Sequence, residues 1–435
     1  MTERASAVAE TTPNAVPAAG QGRSILLYCG IFIVALNFIS PAVGFHIVPL
    51  SFVLKNKLHL SAGGLATFAI WAGIPAFLSF AFGVMRDFWS PFGLGDRGYL
   101  ILFGFLSAAV FSCFAFVPVS LAMLLTCALM GTVCYLFLWS AWNGLGSTIG
   151  KKLSMSGRIS SLWNFAGTVT SFAALLLGGF LSDRLETLST DGAVRTLFLL
   201  VAIVMASIAA FGLWRPDAVF AHLGRQPRTR HHLLADFARL VRHRPIYPAL
   251  FIFLMWNFSP ATQTVLQYYM SNTLHASDTQ WGAFNALFAI AFLPTFVLFG
   301  FLSPRYPLAK LLWYGTAVAV PQMLPLLFIQ SANAVLIAAV PMGLMGGVAT
   351  AAYMDLLIRS CPKGLEGTLM MFSWSMYALA QNFGNLFGTE LYEHHGGFVT
   401  CVLATTFVYA LMLPAIFFVP KGLIALPDGQ HRADD

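Results

Sequence analysis

Apolar residues dominate the chain in long runs, and polar residues gather in the short stretches between them. Twelve such runs are legible, near 25–53, 62–85, 99–117, 119–147, 159–182 and 194–214, then 246–271, 279–302, 308–329, 332–358, 366–391 and 399–419. Each is long enough to cross a hydrocarbon core of about 30 Å as a helix. None alternates strictly and all exceed a barrel strand, so helices are what satisfy the backbone in lipid. The pattern predicts an all-α integral membrane protein with twelve transmembrane helices, spans 1 to 12, in two six-helix bundles. The expected organisation is a disordered cytoplasmic tail over 1–23, an N-terminal bundle over 24–214, a cytoplasmic linker over 215–245, a C-terminal bundle over 246–420 and a second cytoplasmic tail over 421–435.

Charge sharpens this picture. Only 9% of the 435 residues are charged and 58% are hydrophobic, against about 25% charged in soluble domains. A net charge of +7 spread over so apolar a chain excludes a nucleic-acid-binding or disordered protein. Of the 24 lysines and arginines, 20 lie in one set of alternate polar stretches, including Arg86, Arg97, Lys151, Lys152, Arg158 and the seven arginines of the linker. The other set holds only Lys55, Lys57, Arg184 and Arg195. The positive-inside rule then puts both termini and the linker in the cytoplasm of a multi-pass cell-membrane protein. No lysine or arginine is left for the interior of any span. The linker histidines His231, His232 and His243 read as part of a basic face near anionic lipid.

Enzyme chemistry is not indicated. Cys29, Cys113, Cys127, Cys134 and Cys401 lie inside apolar runs and Cys361 in a loop, with no C-x-x-C spacing. Neither a disulfide framework nor a metal site is expected. No phosphate-binding loop, H-E-x-x-H or G-x-S-x-G occurs, so no cofactor, ATP hydrolysis or catalytic residue is expected.

The second half of the chain echoes the first. Asn37-Phe38-Ile39-Ser40-Pro41 in span 1 answers Asn257-Phe258-Ser259-Pro260 in span 7, and Phe68-Ala69-Ile70 with Pro75 in span 2 answers Phe288-Ala289-Ile290 with Pro294 in span 8. Gly83 and Asp87 at the end of span 2 meet Gly300 and Pro304 at the end of span 8; Gly157 and Asp183 flanking span 5 meet Gly364 and Glu390 flanking span 11.

Six plus six helices in parallel repeat about a long charged linker resemble the major facilitator superfamily. The resemblance implies two pseudo-symmetric bundles rocking about a midplane site. Gly83-Val-Met-Arg86-Asp87 is similar to the superfamily's motif between helices 2 and 3, with its basic part displaced to Asp96-Arg97-Gly98. That resemblance implies a gating set of Gly83, Asp87 and Arg97, with Asp87 latching the cytoplasmic ends of the bundles; Pro304 in the second copy makes the latch asymmetric. Glu366 joins this set as a helix-start residue of span 11, where a carboxylate meets exposed amides. The insertion FWSPFGLGDRGYL, the segment after Arg244-Pro245 and Cys361-Pro362-Lys363-Gly364-Leu365-Glu366-Gly367-Thr368 resemble the folate–biopterin transporter branch.

Proline-interrupted segments at matching places in two halves point to a transport site. Asn37 and Asn257 precede those prolines, and other polar or aromatic residues fall on the expected lining: Tyr135, Trp139 and Asn143 in span 4; Asn164 in span 5; Trp256, Gln263 and Gln267 in span 7; Asn285 in span 8; Trp374, Tyr377 and Gln381 in span 11. Aromatic faces beside amides suit a flat, hydrogen-bonding heterocycle. Asp355, Glu390 and His46 are the candidates for proton coupling, since ionisable groups in spans are functional by default. The expected function is secondary active or facilitative transport of a small organic solute by alternating access, of pterin or folate type, with a coupling proton or sodium ion. Folate's two carboxylates have no basic partner in the spans, which favours a neutral pterin or another neutral amphiphile over folate itself. Efflux of hydrophobic drugs or metabolites and a non-transporting assembly role are the alternatives.

Overall fold

The computed structural model describes residues 19–60, 62–220, 242–262, 264–276, 278–362 and 364–430. Linker residues 221–241, with His231 and His232, and the candidate Gln263 lie outside the described residues, as do 1–18 and 431–435. Every regular element among the described residues is helical. Among the described residues, nine helices are long and apolar enough to cross a membrane, from Thr67–Phe88 in span 2 to Gly397–Ile416 in span 12. Spans 1 and 7 carry shorter apolar helices, Gly22–Phe38 and Ile246–Asn257, and span 11, Glu366–His394, is long enough but more polar.

The bundles bury two hydrophobic clusters, one built mainly from spans 1–6 and one from spans 7–10 and 12. The start of span 11, through Leu369, Met370 and Met371, packs into the first cluster although it belongs to the second half of the sequence. Large apolar side chains such as Phe105, Ile203, Tyr314, Ile337 and Phe417 stand exposed on the outer surface. In water so much apolar surface would drive association; in a bilayer it is the solvent-matched face. The protein is a multi-pass membrane protein.

Where the sequence suggested one continuous run in spans 1 and 7, the chain breaks. Span 1 is helical over Ala19–Phe38, turns through 39–46, then resumes over Ile47–Phe52 and Val53–Lys57. Span 7 runs over Ile246–Asn257, leaves the helix at Phe258 and resumes over Thr264–Tyr268 and Tyr269–Thr273. Proline both lacks an N–H and disfavours helix in the residue before it, which is why each break follows the Asn-Phe pair. Freed backbone groups in a span need partners. Thr405 Oγ1 accepts from Ala261 N at 2.9 Å and Asn385 Oδ1 from Thr264 N at 3.2 Å. Gly388 lets the carbonyl of Pro260 approach span 11 where a β-carbon would collide with it. Spans 2 and 8 split at Leu78 and Phe292 beside Pro75 and Pro294.

Candidate functional site

Two regions concentrate the polar chemistry. The first lies at the face where both described chain ends meet, hereafter the terminal face. Span 2 ends at Phe88 and span 11 begins at Glu366, so the free amides of span 11 point at the end of span 2. Asp87 caps them: Oδ1 accepts from Gly367 N at 3.2 Å, and Oδ2 from Thr368 N at 2.6 Å and Thr368 Oγ1 at 2.7 Å. A helix N-terminus favours a carboxylate by its dipole and its unpaired donors. Arg86 orients that carboxylate from Nη1 at 2.8 Å and holds Asp96 with Nε and Nη2 at 2.6 and 2.7 Å. The guanidinium fits only because residue 144 is glycine, whose absent β-carbon would overlap it. Gly83 likewise lies against the carbonyl of Gly367.

More bonds tie the halves together here. Ser160 Oγ donates to Ala351 O and Ser161 Oγ to Phe296 O, each at 2.6 Å. Lys151 donates to Cys361 O, and Arg359 Nε to Ser156 Oγ at 3.0 Å. Deeper in, Trp374 Nε1 donates to Asn143 Oδ1 at 2.9 Å. Among the described residues, these side-chain bonds between halves run from the middle of the bundle to the terminal face, which is closed.

The second region is a cavity of about 830 Å³, within the size range of small-molecule sites. It reaches from Trp139, Trp163 and Trp374 toward His46, Leu50 and Leu54 at the far end of span 1. Its floor is an aromatic cluster. Tyr135 stacks on Trp139, with centroids 5.9 Å apart; Trp139 meets Trp163 and Trp374 edge to face at 5.7 and 5.5 Å, and Trp374 meets Tyr377 at 5.3 Å. Asn37, Ser40, His46, Ser79 and Thr132 supply polar atoms. No aspartate, glutamate, lysine or arginine lines it among the described residues.

The lining unites Asn37, Tyr135, Trp139, Trp374, Tyr377 and His46 from the sequence candidates. Gln381 stands behind it, donating to Tyr377 Oη at 2.8 Å. Asn143 is fully buried beneath the floor. Trp256 packs instead on Tyr409 and Tyr353 within the second half. Asn164, Asn257 and Asn285 each donate to the carbonyl four residues earlier and lie outside this lining. Gln267 is exposed on span 7. The cavity is therefore lopsided: the first half and span 11 build it, because the break in span 7 is drawn against Gly384 and Gly388.

Among the charged candidates, Asp355 is bound at both oxygens by Arg359, at 2.8 and 3.0 Å, and Glu390 is exposed beside His394 at 3.4 Å. His46 Nδ1 is buried with no hydrogen-bond partner among the described residues. Glu366 Oε2 accepts from Gly364 N at 2.9 Å, within its own helix start. Arg97 turns from the latch and braces the end of span 6, donating to Gly212 O and Leu213 O at 3.0 and 2.7 Å. Arg86, one residue before Asp87, takes the place beside the carboxylate. Sequence reasoning left Arg86, Asp96 and Thr368 out of the site; the Arg86-Asp87 adjacency was the available signal.

The model of the Major Facilitator Superfamily matches residues 27–389. A folate-biopterin transporter of Synechocystis sp. is 24% identical over 436 residues, covering 93% of this chain and 84% of that protein. Folate transporter 1 of Plasmodium falciparum is 23% identical over 361 residues, covering 78% and 67%. Among solved structures, the human organic anion transporter MFSD10 (TETRAN) matches with a TM-score of 0.62 at 16% identity, over 92% of this chain and all of that one, 100%. The E. coli fucose:proton symporter FucP matches with a TM-score of 0.66 at 13% identity, over 92% and 99%. At such identities the structures show a shared fold, and the family match extends it to kinship. The chain belongs to the major facilitator superfamily of membrane transporters.

Proposed function

We propose that this protein carries a small, uncharged, flat heteroaromatic solute of the pterin class across the cell membrane by alternating access, with its terminal face in the cytoplasm. The observation that carries this reading is the cavity wall: aromatic, hydrogen-bonding and without a charged side chain among the described residues. Burying an unpaired carboxylate there costs several kcal/mol, which disfavours a dianionic folate and leaves the heterocycle as the part the wall suits. The folate and folate-biopterin transporters related to the chain support the same chemistry. A cavity walled by the first half and closed toward the terminal face supports an arrangement open to the opposite side. The bulk of positive charge on the terminal side supports its cytoplasmic placement.

The test is uptake by proteoliposomes of a neutral pterin, folate and a hydrophobic dye, with and without a pH gradient. Pterin flux that neither folate nor dye matches is expected; dye flux alone would replace this reading with efflux of hydrophobic compounds, and no flux of any solute would favour an assembly role. Among the described residues Asn37 bonds its own helix alone, Nδ2 donating to Ile33 O at 3.0 Å, which leaves its Oδ1 for solute. Asn37→Ala should weaken pterin binding about tenfold, the value of a buried hydrogen bond, with unchanged membrane abundance. Asn257→Ala, outside the lining, should change it by less than about twofold. Equal affinities for Asn37→Ala and the parent would remove Asn37 from the site.

A further inference from the structure

The latch at Asp87 has a twin that the repeat does not encode. In the second half the position of Asp87 is Pro304, which offers no carboxylate to the matching helix start, that of span 5 at Ser156. A carboxylate is there nonetheless. After span 12 the chain forms a short helix over Lys421–Ile424 and turns back under the bundle, and Asp428 reaches the start of span 5. Its Oδ1 accepts from Gly157 N and its Oδ2 from Arg158 N, both at 3.1 Å, and Arg158 Nε lies 3.5 Å away. Asp428 N donates to the carbonyl of Ser303, one residue before Pro304, at 2.8 Å, and Gly429 N donates to Ser154 O. One residue thereby joins the end of span 8 in the second half to the start of span 5 in the first.

The surroundings repeat the first latch in other residues. Gly157 is the second residue of its helix as Gly367 is of span 11, which moves the register off the Gly157–Gly364 match read from the sequence, and a β-carbon on it would come within 2.6 Å of Ser303 Cβ. Arg359 of span 10 supplies positive charge nearby without bonding Asp428 directly: it holds Asp355, donates to Ser156 Oγ and fixes the returning segment through Leu423 O and Leu426 O at 3.3 and 2.9 Å. The Asp428 side chain is fully buried.

We propose that Asp428 is a second gating carboxylate, a strap that closes the terminal face by capping span 5 while bound to span 8, and that opening this face requires its release. The inference rests on the alternating-access reading. The charged groups facing Asp428 are Asp355 and Arg359 from span 10, Arg158 from span 5 and Lys151 from the end of span 4. Burial, and next the nearby Asp355, push the Asp428 carboxyl up to about 7. A carboxyl raised in the closed state and ordinary in the open one binds its proton on closing. Acid therefore favours closure, and the advantage fades as pH rises through about 7.

The experiment uses the full chain in nanodiscs, with spin labels at Phe92→Cys and Tyr306→Cys in a Cys113→Ser background and distances read by pulsed EPR. At pH 6, Asp428→Ala is expected to raise the open-to-closed ratio about tenfold, from the loss of two hydrogen bonds. Raising the pH from 6 to 8 should open the parent about tenfold and leave Asp428→Ala unmoved. Asp428→Asn, which keeps an oxygen acceptor and the side-chain volume, should be less open than Asp428→Ala and equally blind to pH. An unchanged ratio in Asp428→Ala at pH 6, or a pH response of full size in either variant, overturns the strap. The Asp87→Ala variant separates the two readings: if it opens the terminal face while Asp428→Ala does not, only the strap fails. If neither variant nor solute changes the distance, alternating access fails as well.

Discussion

Replacing Gly83 by valine should abolish solute flux while leaving the protein folded and at normal abundance in the membrane. A β-carbon at residue 83 collides with the carbonyl oxygen of Gly367 and lies 2.9 Å from its carbon and 2.8 Å from Met371 Cβ. The obstacle is helix backbone, which cannot rotate aside as a side-chain tip can. Overpacking of this kind costs about 1–3 kcal/mol even where neighbours relax, which is roughly a ten- to hundredfold shift in a two-state equilibrium. The collision exists only while spans 2 and 11 touch. With the halves apart at this face, the added methyls meet no partner and the variant is as stable as the parent. Proteoliposome uptake should fall more than about tenfold, and the spin-label pair at residues 92 and 306 should report the open distance alone. Parent-level uptake by Gly83→Val would mean that closure of this face is no part of the transport cycle.

How much of this could be read from the chain follows from the range over which each feature is written. The breaks in spans 1 and 7 were signposted by prolines at matched places, a local signal, although the sequence could not say that Ser40-Pro41 and Ser259-Pro260 would stop the helices outright. Gly83 and Asp87 were legible because they sit four residues apart in one motif. The partner of Asp87 was not. Gly367 and Thr368 lie about 280 residues on in sequence, and nothing short of tertiary structure sets which turn of span 11 the carboxylate meets. The confusion of Arg97 with Arg86 has the same origin: both precede or follow Asp87 closely, and the turn through Phe92, in left-handed conformation with φ of 55°, decides which arginine points inward. Asp428 was invisible for a further reason. Its segment is short and polar, and only the vacancy at Pro304 hinted that a carboxylate was missing. The lopsided cavity came from the close packing of span 7 on span 11, which the Gly384-x-x-x-Gly388 spacing allows but does not direct.

Asp87→Ala should open the terminal face by a factor on the order of 10²–10³, the largest effect expected of any polar substitution here. Removing one partner from a buried, hydrogen-bonded charge pair costs about 3–5 kcal/mol, because the remaining groups stay desolvated. Here Gly367 N, Thr368 N and Thr368 Oγ1 lose their acceptor at once, and Arg86 loses one of its two carboxylates. The groups so exposed regain water only when spans 2 and 11 separate, so the cost falls on the closed state. Asp87→Asn can keep its oxygen on Thr368 N but then turns its amide N–H toward both Arg86 Nη1 and Gly367 N, and should lie between the parent and Asp87→Ala. Asp87 and Asp428 share none of their bonded partners, yet both act on the same opening. Their effects should therefore add in free energy, to within about 0.5 kcal/mol. A double variant no more open than Asp87→Ala alone, read by the same spin-label distance, would show that one latch holds the face by itself and that the strap follows it.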